Sequence, residues 1–284
     1  MNKKIIVLFN LLFYTSFADS LSTLIVEREI GNFNDAISLS ISVSGQIFIL
    51  DAGTSSLISI DYLSGKTNSI SGKGWRELEF NSPNDVCGTS VLDIFVADLN
   101  NRRIQHFDRS LNFISTIPTA ENEIETFQPI AIQFSQEGFL LILDKDEKQV
   151  LKYDLKSKKF TKLVQFTSGK GLISDPLDLA IINKNNFAVL NGKQILIYDI
   201  YGNFINSFSI NIQESPLTLF SSENKIAVTS KNQIIIYSNS GKILDQIKPL
   251  NIIGKKAADF RDISIIDENY FILTKNSILI CSKK

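Results

Sequence analysis

The chain has 284 residues, of which 44% are hydrophobic and 21% are charged, and its formal net charge is -1. That composition is typical of a globular protein and excludes a disordered or fibrous chain. The near-neutral charge provides no electrostatic footprint for a nucleic acid or an anionic membrane surface, so we expect neither as a partner.

The first residues have the order of a secretory signal peptide. The basic pair Lys3-Lys4 precedes an apolar run over residues 5–14, and Ser16-Phe17-Ala18 has the small residues of a cleavage site. The apolar run is about half as long as a bilayer-spanning helix requires. We therefore expect residues 1–18 to be removed and residues 19–284 to form one domain. The mature protein should be secreted or periplasmic, with no membrane anchor after cleavage.

Six segments along the chain share one pattern of short apolar strands separated by polar turns. They open at Ala36, Pro83, Pro129, Pro176, Pro216 and Phe260. The intervals between these openings run from 40 to 47 residues, which is the length of a four-stranded propeller blade. The strongest strand of each segment is apolar without alternation, so both of its faces should be buried. The sequence therefore predicts an all-β fold, a six-bladed β-propeller of four-stranded blades.

The sixth segment is one strand short, because only three residues follow Cys281. Residues 23–27 are apolar enough to supply the missing strand. An N-terminal strand in the last blade would close the ring and leave no unpaired junction. We expect this closure.

The second segment carries the residues of a known repeat. It contains Phe80, Pro83, the strand end Val96-Ala97-Asp98, the turn Asn100-Asn101-Arg102-Arg103-Ile104 and the closing pair Phe107-Asp108, and the Gly-rich stretch Ser71-Gly72-Lys73-Gly74-Trp75 precedes it. This set resembles the NHL repeat. The resemblance implies a propeller that serves as a protein-binding or scaffolding module, and it implies no particular reaction, because this fold hosts many functions.

One column of acids recurs at the end of the strongest strand in the first three blades. It consists of Asp51, Asp98 and Asp144, and the corresponding residues of the later blades are Asn191, Ser230 and Lys275. The acid accompanies a longer turn in each case. A carboxylate that bonds backbone N–H groups explains this association better than catalysis or metal binding.

A second column of acids lies near the start of the inner strands, which line the central channel. Its members Asp85, Asp178 and Asp262 are the only metal candidates. Calcium prefers six or more oxygen ligands, and few others are identifiable, so solvated acids at the channel mouth are favoured. We expect no required cofactor, with Ca²⁺ as the one ion considered.

Two classes of function remain open. The first is an exported, non-catalytic binding propeller. The second is a calcium-dependent hydrolase of the lactonase type on the same fold, for which Pro83-Asn84-Asp85 resembles one family element and blade four lacks another. We assign no catalytic residue. His106, the single histidine, should be a strand residue, and Cys87 and Cys281 should be unbridged buried thiols because blade one separates them.

The linker before blade two and the second turn of that blade should share one face of the propeller. The face would gather Trp75, Arg76, Asn100, Asn101, Arg102 and Arg103. An exposed Trp beside Arg and Asn groups has the composition of a binding hot spot. We expect a protein or small-molecule partner there, of unknown identity, and a monomeric protein.

Overall fold

The computed structural model describes residues 22–42, 44–88, 93–117, 126–165, 168–222, 224–254 and 259–284. The predicted signal peptide lies outside these ranges and stays a prediction. Within them, no helix is long and apolar enough to cross a membrane. The helices of the described ranges are two single 3-10 turns, Leu99–Asn101 and Pro249–Asn251.

The strands are numbered along the chain, beginning with β1 (Leu24–Ile30), which belongs to the last blade. Blade one contains β2 (Ala36–Ile41), β3 (Gln46–Asp51), β4 (Ser56–Asp61) and β5 (Thr67–Ser71). Blade two contains β6 (Pro83–Cys87), β7 (Asp93–Asp98), β8 (Arg103–Asp108) and β9 (Phe113–Ile117). Blade three contains β10 (Pro129–Ser135), β11 (Phe139–Asp144), β12 (Gln149–Asp154) and β13 (Lys159–Val164).

Blade four contains β14 (Pro176–Asn183), β15 (Asn186–Asn191), β16 (Gln194–Asp199) and β17 (Phe204–Ser209). Blade five contains β18 (Thr218–Ser222), β19 (Lys225–Ser230), β20 (Gln233–Ser238) and β21 (Ile243–Ile247). The short strand β22 (Ile252–Ile253) follows, and blade six continues with β23 (Phe260–Ile266), β24 (Asn269–Thr274) and β25 (Ile278–Lys283). Successive strands within each blade are antiparallel, so the predicted six-bladed propeller is confirmed.

The N-terminal strand closes the ring in the last blade, as predicted. β1 pairs antiparallel with β25, with Leu24 opposite Lys283 and Ile30 opposite Ile278. On its other side β1 pairs in parallel with the two-residue strand β22. Blade six therefore has five strands, and β22 covers part of an edge that would otherwise be open.

Alternate residues of each second strand face different neighbouring blades. In β3, Phe48 and Leu50 pack against blade two, whereas Ile47 and Ile49 pack against blade six. The same division recurs around the ring, where six buried apolar clusters each join two adjacent blades. This arrangement explains why the second strands are apolar on both faces.

Candidate binding face and channel carboxylates

Asp51, Asp98 and Asp144 are buried and hold the linker that enters their own blade. Asp98 Oδ1 accepts the N–H of Asn81 at 2.7 Å, and Asp144 Oδ1 accepts that of Gln128 at 2.9 Å. Asp51 accepts two linker N–H groups in the same way. The prediction that these acids bond backbone N–H groups is confirmed, although the linker supplies most of the donors.

Blade four achieves the same contact with an amide. Asn191 Oδ1 accepts the N–H groups of Ser174 and Asp175, both at 2.8 Å. Blade four has the shorter turn, so this contact with the linker does not require the longer one. In blade six the register places Thr274 opposite Phe260, so the assignment of Lys275 to this position was wrong.

Arg103 braces the linker between blades one and two. Its Nη1 donates to the carbonyl oxygen of Trp75 at 2.7 Å, and its Nη2 donates to those of Arg76 at 2.8 Å and Glu79 at 2.9 Å. Its Nε donates to Asp98 Oδ2 at 2.9 Å. A guanidinium group can make all of these bonds at once because its five N–H donors are fixed in a plane. The side chain is only 13% exposed, so it holds the linker and offers little surface to a partner.

The two asparagines of the blade-two turn also bond this linker. Asn101 Nδ2 donates to the carbonyl oxygen of Gly74 at 2.7 Å, and Asn100 Nδ2 donates to Ser82 Oγ at 3.0 Å. Arg102 points the other way and pairs with Asp146 of blade three. The structure thus brings together five of the six residues predicted for this face and directs Arg102 to the neighbouring blade.

Trp75 is the large aromatic member of the face, and it is available to solvent. Its side chain is 76% exposed. The backbone on either side is fixed, because Gly74 N–H donates to the carbonyl oxygen of Phe80 at 3.0 Å and Phe80 N–H donates to that of Gly72 at 2.8 Å. We call residues 72–82, with Trp75 at the surface, the Trp75 linker. It presents a large aromatic side chain on a backbone of defined conformation.

The three channel acids satisfy backbone donors of the inner strands. An inner strand is the edge of its blade, so its outward N–H groups need acceptors other than a neighbouring strand. At one level of the channel each blade contributes one such group, and all six have a side-chain acceptor at 2.6–3.2 Å. Asp262 accepts from Leu39 and Ile263, Asp178 accepts from Leu179 and Leu219, Asp85 accepts from Ile132, and Ser38 accepts from Val86.

Each of these carboxylates joins its own blade to the next one. Asp85 of blade two accepts from Ile132 of blade three at 2.8 Å, and Asp178 of blade four accepts from Leu219 of blade five at 2.6 Å. Asp262 of blade six accepts from blade one, and it is only 8% exposed. The expectation of simple solvated acids was therefore wrong, since they are inter-blade acceptors.

Burial of these acids shifts their ionisation. Desolvation raises the pKa of Asp85 to about 6 and that of Asp262 to about 7. The pKa of Asp178 lies well above its usual value because of burial and then because of the charges on Asp85 and Asp262. All three line a channel cavity of about 200 Å³. At neutral pH the group therefore carries fewer than three negative charges.

The acids do not form a recognisable metal site. Across the described ranges, no three or more His, Cys, Asp or Glu side chains are grouped so that they could hold a metal ion. Both oxygens of Asp85, Asp178 and Asp262 already accept a hydrogen bond from a backbone N–H or from Ser38. Backbone bonding accounts for the column without a cation, and calcium binding stays a prediction.

His106 lies in the middle of β8, as predicted, but it has partners that the sequence did not reveal. Its Nε2 is 2.7 Å from Asp93 Oδ1, and its Nδ1 is 3.4 Å from Ser115 Oγ. Asp93, His106 and Ser115 lie on adjacent strands of one blade, and the imidazole stacks on Phe95 at 4.5 Å between ring centroids. Cross-strand packing accounts for the arrangement.

The two cysteines are buried thiols that are not joined to each other, as expected. Cys87 Sγ accepts the N–H of Phe134 at 3.2 Å, which adds another contact between blades two and three. Burial, and then the charge of Glu27, raises the pKa of Cys281 to about 12. A thiol with so high a pKa is a poor nucleophile at neutral pH.

No known family model and no curated protein matches this sequence. Several solved structures share its fold. A chain from the nidogen/laminin complex aligns over 81% of this chain and 94% of its own, with 13% identity and a TM-score of 0.61. Virginiamycin B lyase from Staphylococcus aureus aligns over 91% and 98%, with 13% identity and a TM-score of 0.64. A luciferin-regenerating enzyme aligns over 93% and 95%, with 11% identity and a TM-score of 0.67.

Identities this low establish the propeller fold and nothing finer. The similar structures include a member of a protein complex and two enzymes, so they do not distinguish binding from catalysis. They support a propeller family without singling out the NHL repeat.

Proposed function

We propose that the protein is an exported, non-catalytic binding propeller, and that Trp75 anchors its partner. The observation that carries the proposal is the exposure of Trp75, at 76%, on a linker whose backbone is held by Arg103. A similar structure comes from a protein complex, which shows that this architecture is compatible with protein recognition.

The physical argument concerns the cost of ordering a binding surface. Immobilising loops and side chains costs free energy and so weakens binding. A surface whose conformation is already fixed avoids much of this cost. Tryptophan combines a large contact area with few rotatable bonds, and it is enriched among the residues that dominate binding energies. We therefore propose a protein partner with an apolar pocket that receives the indole ring.

The linker also has charge and apolar surface beside the indole. Arg76 and Glu77 are exposed, and Leu78 is 40% exposed. An aromatic centre with charged neighbours matches the usual division of an interface into an apolar core and a polar rim. These side chains form the proposed rim around Trp75.

Trp75→Ala should weaken binding of the partner by about 2 kcal/mol, or about 30-fold, as expected for a hot-spot tryptophan. The partner is first captured by a photoreactive phenylalanine analogue at position 75, and its affinity for wild type and variant is then measured by titration. Thermal stability should be unchanged because the side chain is mostly exposed.

Tyr201→Ala is the matched control. Tyr201 is an aromatic residue that is 80% exposed, and it lies in a third-to-fourth-strand turn on the opposite face. Equal affinity of wild type and the Trp75 variant, or capture by position 201 alone, would reject the Trp75 linker as the site. Arg103→Ala is unsuitable as a test because it would release the linker.

The alternative of a calcium-dependent lactonase is less well supported. Two of the similar structures are enzymes, so the fold is compatible with catalysis. However, the carboxylates that the described residues assemble in the channel already serve as acceptors for backbone N–H groups. Lactone hydrolysis by the purified protein that appears only with added Ca²⁺ would replace the binding proposal.

A further inference from the structure

The interface between blades five and six, like that between blades four and five, has a small residue at a position where the other four interfaces hold a large one. The third residue of each second strand faces the next blade, and around the ring these residues are Phe48, Phe95, Leu141, Ala188, Ala227 and Phe271. At the interface of blades five and six the residue is Ala227. A methyl group therefore lies where three of the other interfaces hold a phenyl ring.

The same interface departs from good packing at a second position. Thr229 lies two residues further along the same face of β19, where Leu50, Leu143, Leu190 and Leu273 stand in four other blades. It is fully buried, and its hydroxyl group has no hydrogen-bond partner within the described ranges. Departures of this kind, which lower stability, are concentrated at functional sites in natural proteins.

Ala227, but not Thr229, lines a cleft of about 490 Å³ between the two blades. Its apolar lining includes Phe220, Ala227, Ile236, Ile265 and Tyr270. The size falls within the usual range of small-molecule sites, about 300–1,000 Å³. The cleft opens at the first-to-second-strand turns, on the face opposite the Trp75 linker, so it is independent of the proposed binding face.

The rim of the cleft carries both signs of charge. Asp267 and Glu268 come from the first turn of blade six, while Lys225 begins β19 and Lys283 ends β25. Lys283 Nζ also bonds Asp245 at 2.8 Å, which holds the ammonium group in place. A ligand with one charged group of each sign can complement such a rim.

We propose that this cleft binds a small zwitterionic aromatic molecule of the aromatic amino acid class. The ring lies against Ala227, in the space that a phenylalanine side chain fills in the equivalent interfaces. The ammonium group of the ligand faces the acidic side of the rim, and its carboxylate faces the basic side.

The proposal is tested first with the wild-type protein by isothermal titration calorimetry. L-Phenylalanine should bind with a Kd below about 1 mM, an affinity reasonable for a ligand of this size. 3-Phenylpropionate and phenethylamine each lack one charge and should bind at least about 10-fold more weakly, which is about 1.4 kcal/mol. L-Alanine lacks the ring and should not bind. The proposal is overturned if no L-phenylalanine binding is detected at ligand concentrations 10-fold above the expected Kd limit, or if L-alanine binds with the same affinity.

The second test fills the cleft. Ala227→Phe introduces the residue of blades one, two and six, and Ala227→Leu introduces that of blade three. Both variants should lose at least about 10-fold in affinity for L-phenylalanine while their thermal midpoints stay equal or rise, because cavity filling stabilises. Trp75→Ala, on the other face, should bind as wild type. Unchanged affinity in a folded Ala227 variant places the ligand elsewhere and overturns the assignment.

Discussion

At the scale of single residues, the carboxylates whose pKa is shifted fall into two groups, one with lowered and one with raised pKa values. The third strands end at Asp61, Asp108, Asp154 and Asp199, which accept bonds from their own hairpin turns, and this lowers the pKa of each. The channel acids have raised pKa values because they are buried together. A lowered pKa favours folding at higher pH, whereas a raised pKa favours folding at lower pH. The two groups should therefore impose opposite pH dependence on stability.

The channel acids determine the expected behaviour between pH 4 and pH 7. In that window, which extends from the unfolded value of 3.8 to the folded values of about 6 and about 7, the folded protein holds protons that the unfolded chain has lost. Their contribution to the free energy of unfolding should fall as pH rises, by up to about 1.4 kcal/mol per pH unit for each proton. Asp178→Asn removes one titrating group, so urea unfolding measured across this window should show a shallower slope.

Asp61→Asn provides the comparison for that experiment, since Asp61 is a hairpin acid far from the channel. It should leave the slope above pH 4 as in wild type but lower stability there by a constant amount, and this difference should shrink below pH 4 as the wild-type carboxylate becomes protonated. A wild-type stability that rises steadily from pH 4 to pH 7 would contradict the raised channel pKa values.

At the scale of elements, the integrity of the ring depends on β1. Leu24 is fully buried at the junction of blades five and six, and the side chains of β25 that pack beneath β1 include the buried residues Ile278 and Cys281. Ser22 adds a contact to blade five, where its N–H donates to Asp245 Oδ1 at 3.1 Å. Removal of this strand would expose both an edge and apolar surface.

Deletion of residues 22–30 should lower the thermal midpoint by more than about 10 °C, because it removes a whole strand and several kcal/mol of buried contact. Differential scanning calorimetry measures the change. Arg28→Ala is a matched substitution in the exposed part of β1, where the side chain bonds the carbonyl oxygen of Tyr62 and lies over its ring. It should shift the midpoint by no more than a few degrees, and an unchanged midpoint in the deletion would disprove the role of β1 in closure.

Periodicity and turn residues predicted the strands, the blade number and the closure by β1, because these depend on patterns local in the sequence. β22 was not predicted, because a strand of two residues has no sequence pattern of its own and is defined by its pairing with β1. The bonds by which Arg103 braces the linker were also not predicted. From sequence alone, an arginine in a turn could bind a partner or bond a neighbouring linker. Only the geometry shows that the Arg103 guanidinium already donates to three backbone carbonyl groups. The poor packing around Ala227 became visible only when the registers of all six blades were compared.

At the scale of the whole molecule, the proposed activities lie on opposite faces. The Trp75 linker belongs to the face of the inter-blade linkers, and the cleft at Ala227 opens on the other. A rigid ring between them would allow a protein partner and a small ligand to bind at the same time. Both proposals concern a protein that we expect to act outside the cytoplasm.

Export predicts a defined start for the mature protein. Cleavage after Ala18 would leave Asp19 at the N-terminus, with β1 intact for closure of the ring. Edman sequencing or intact mass measurement of exported material should therefore show loss of residues 1–18. Exported protein that retains Met1 would contradict the signal peptide.

The pairing of β1 with β25 has a consequence for the order of folding during synthesis. Strand β1 emerges from the ribosome before every other described strand, and its partner is made last, with Leu24 opposite Lys283. Each of the first five blades consists of strands that are neighbours in sequence, so it needs only local contacts and can form early. The contacts of longest sequence separation, which join β1 and blade one to blades five and six, must form at the end, and such contacts are slow. Until then β1 and the blades that await it have exposed strand edges, which can pair with other chains. Aggregation should therefore compete with folding mainly before this last step.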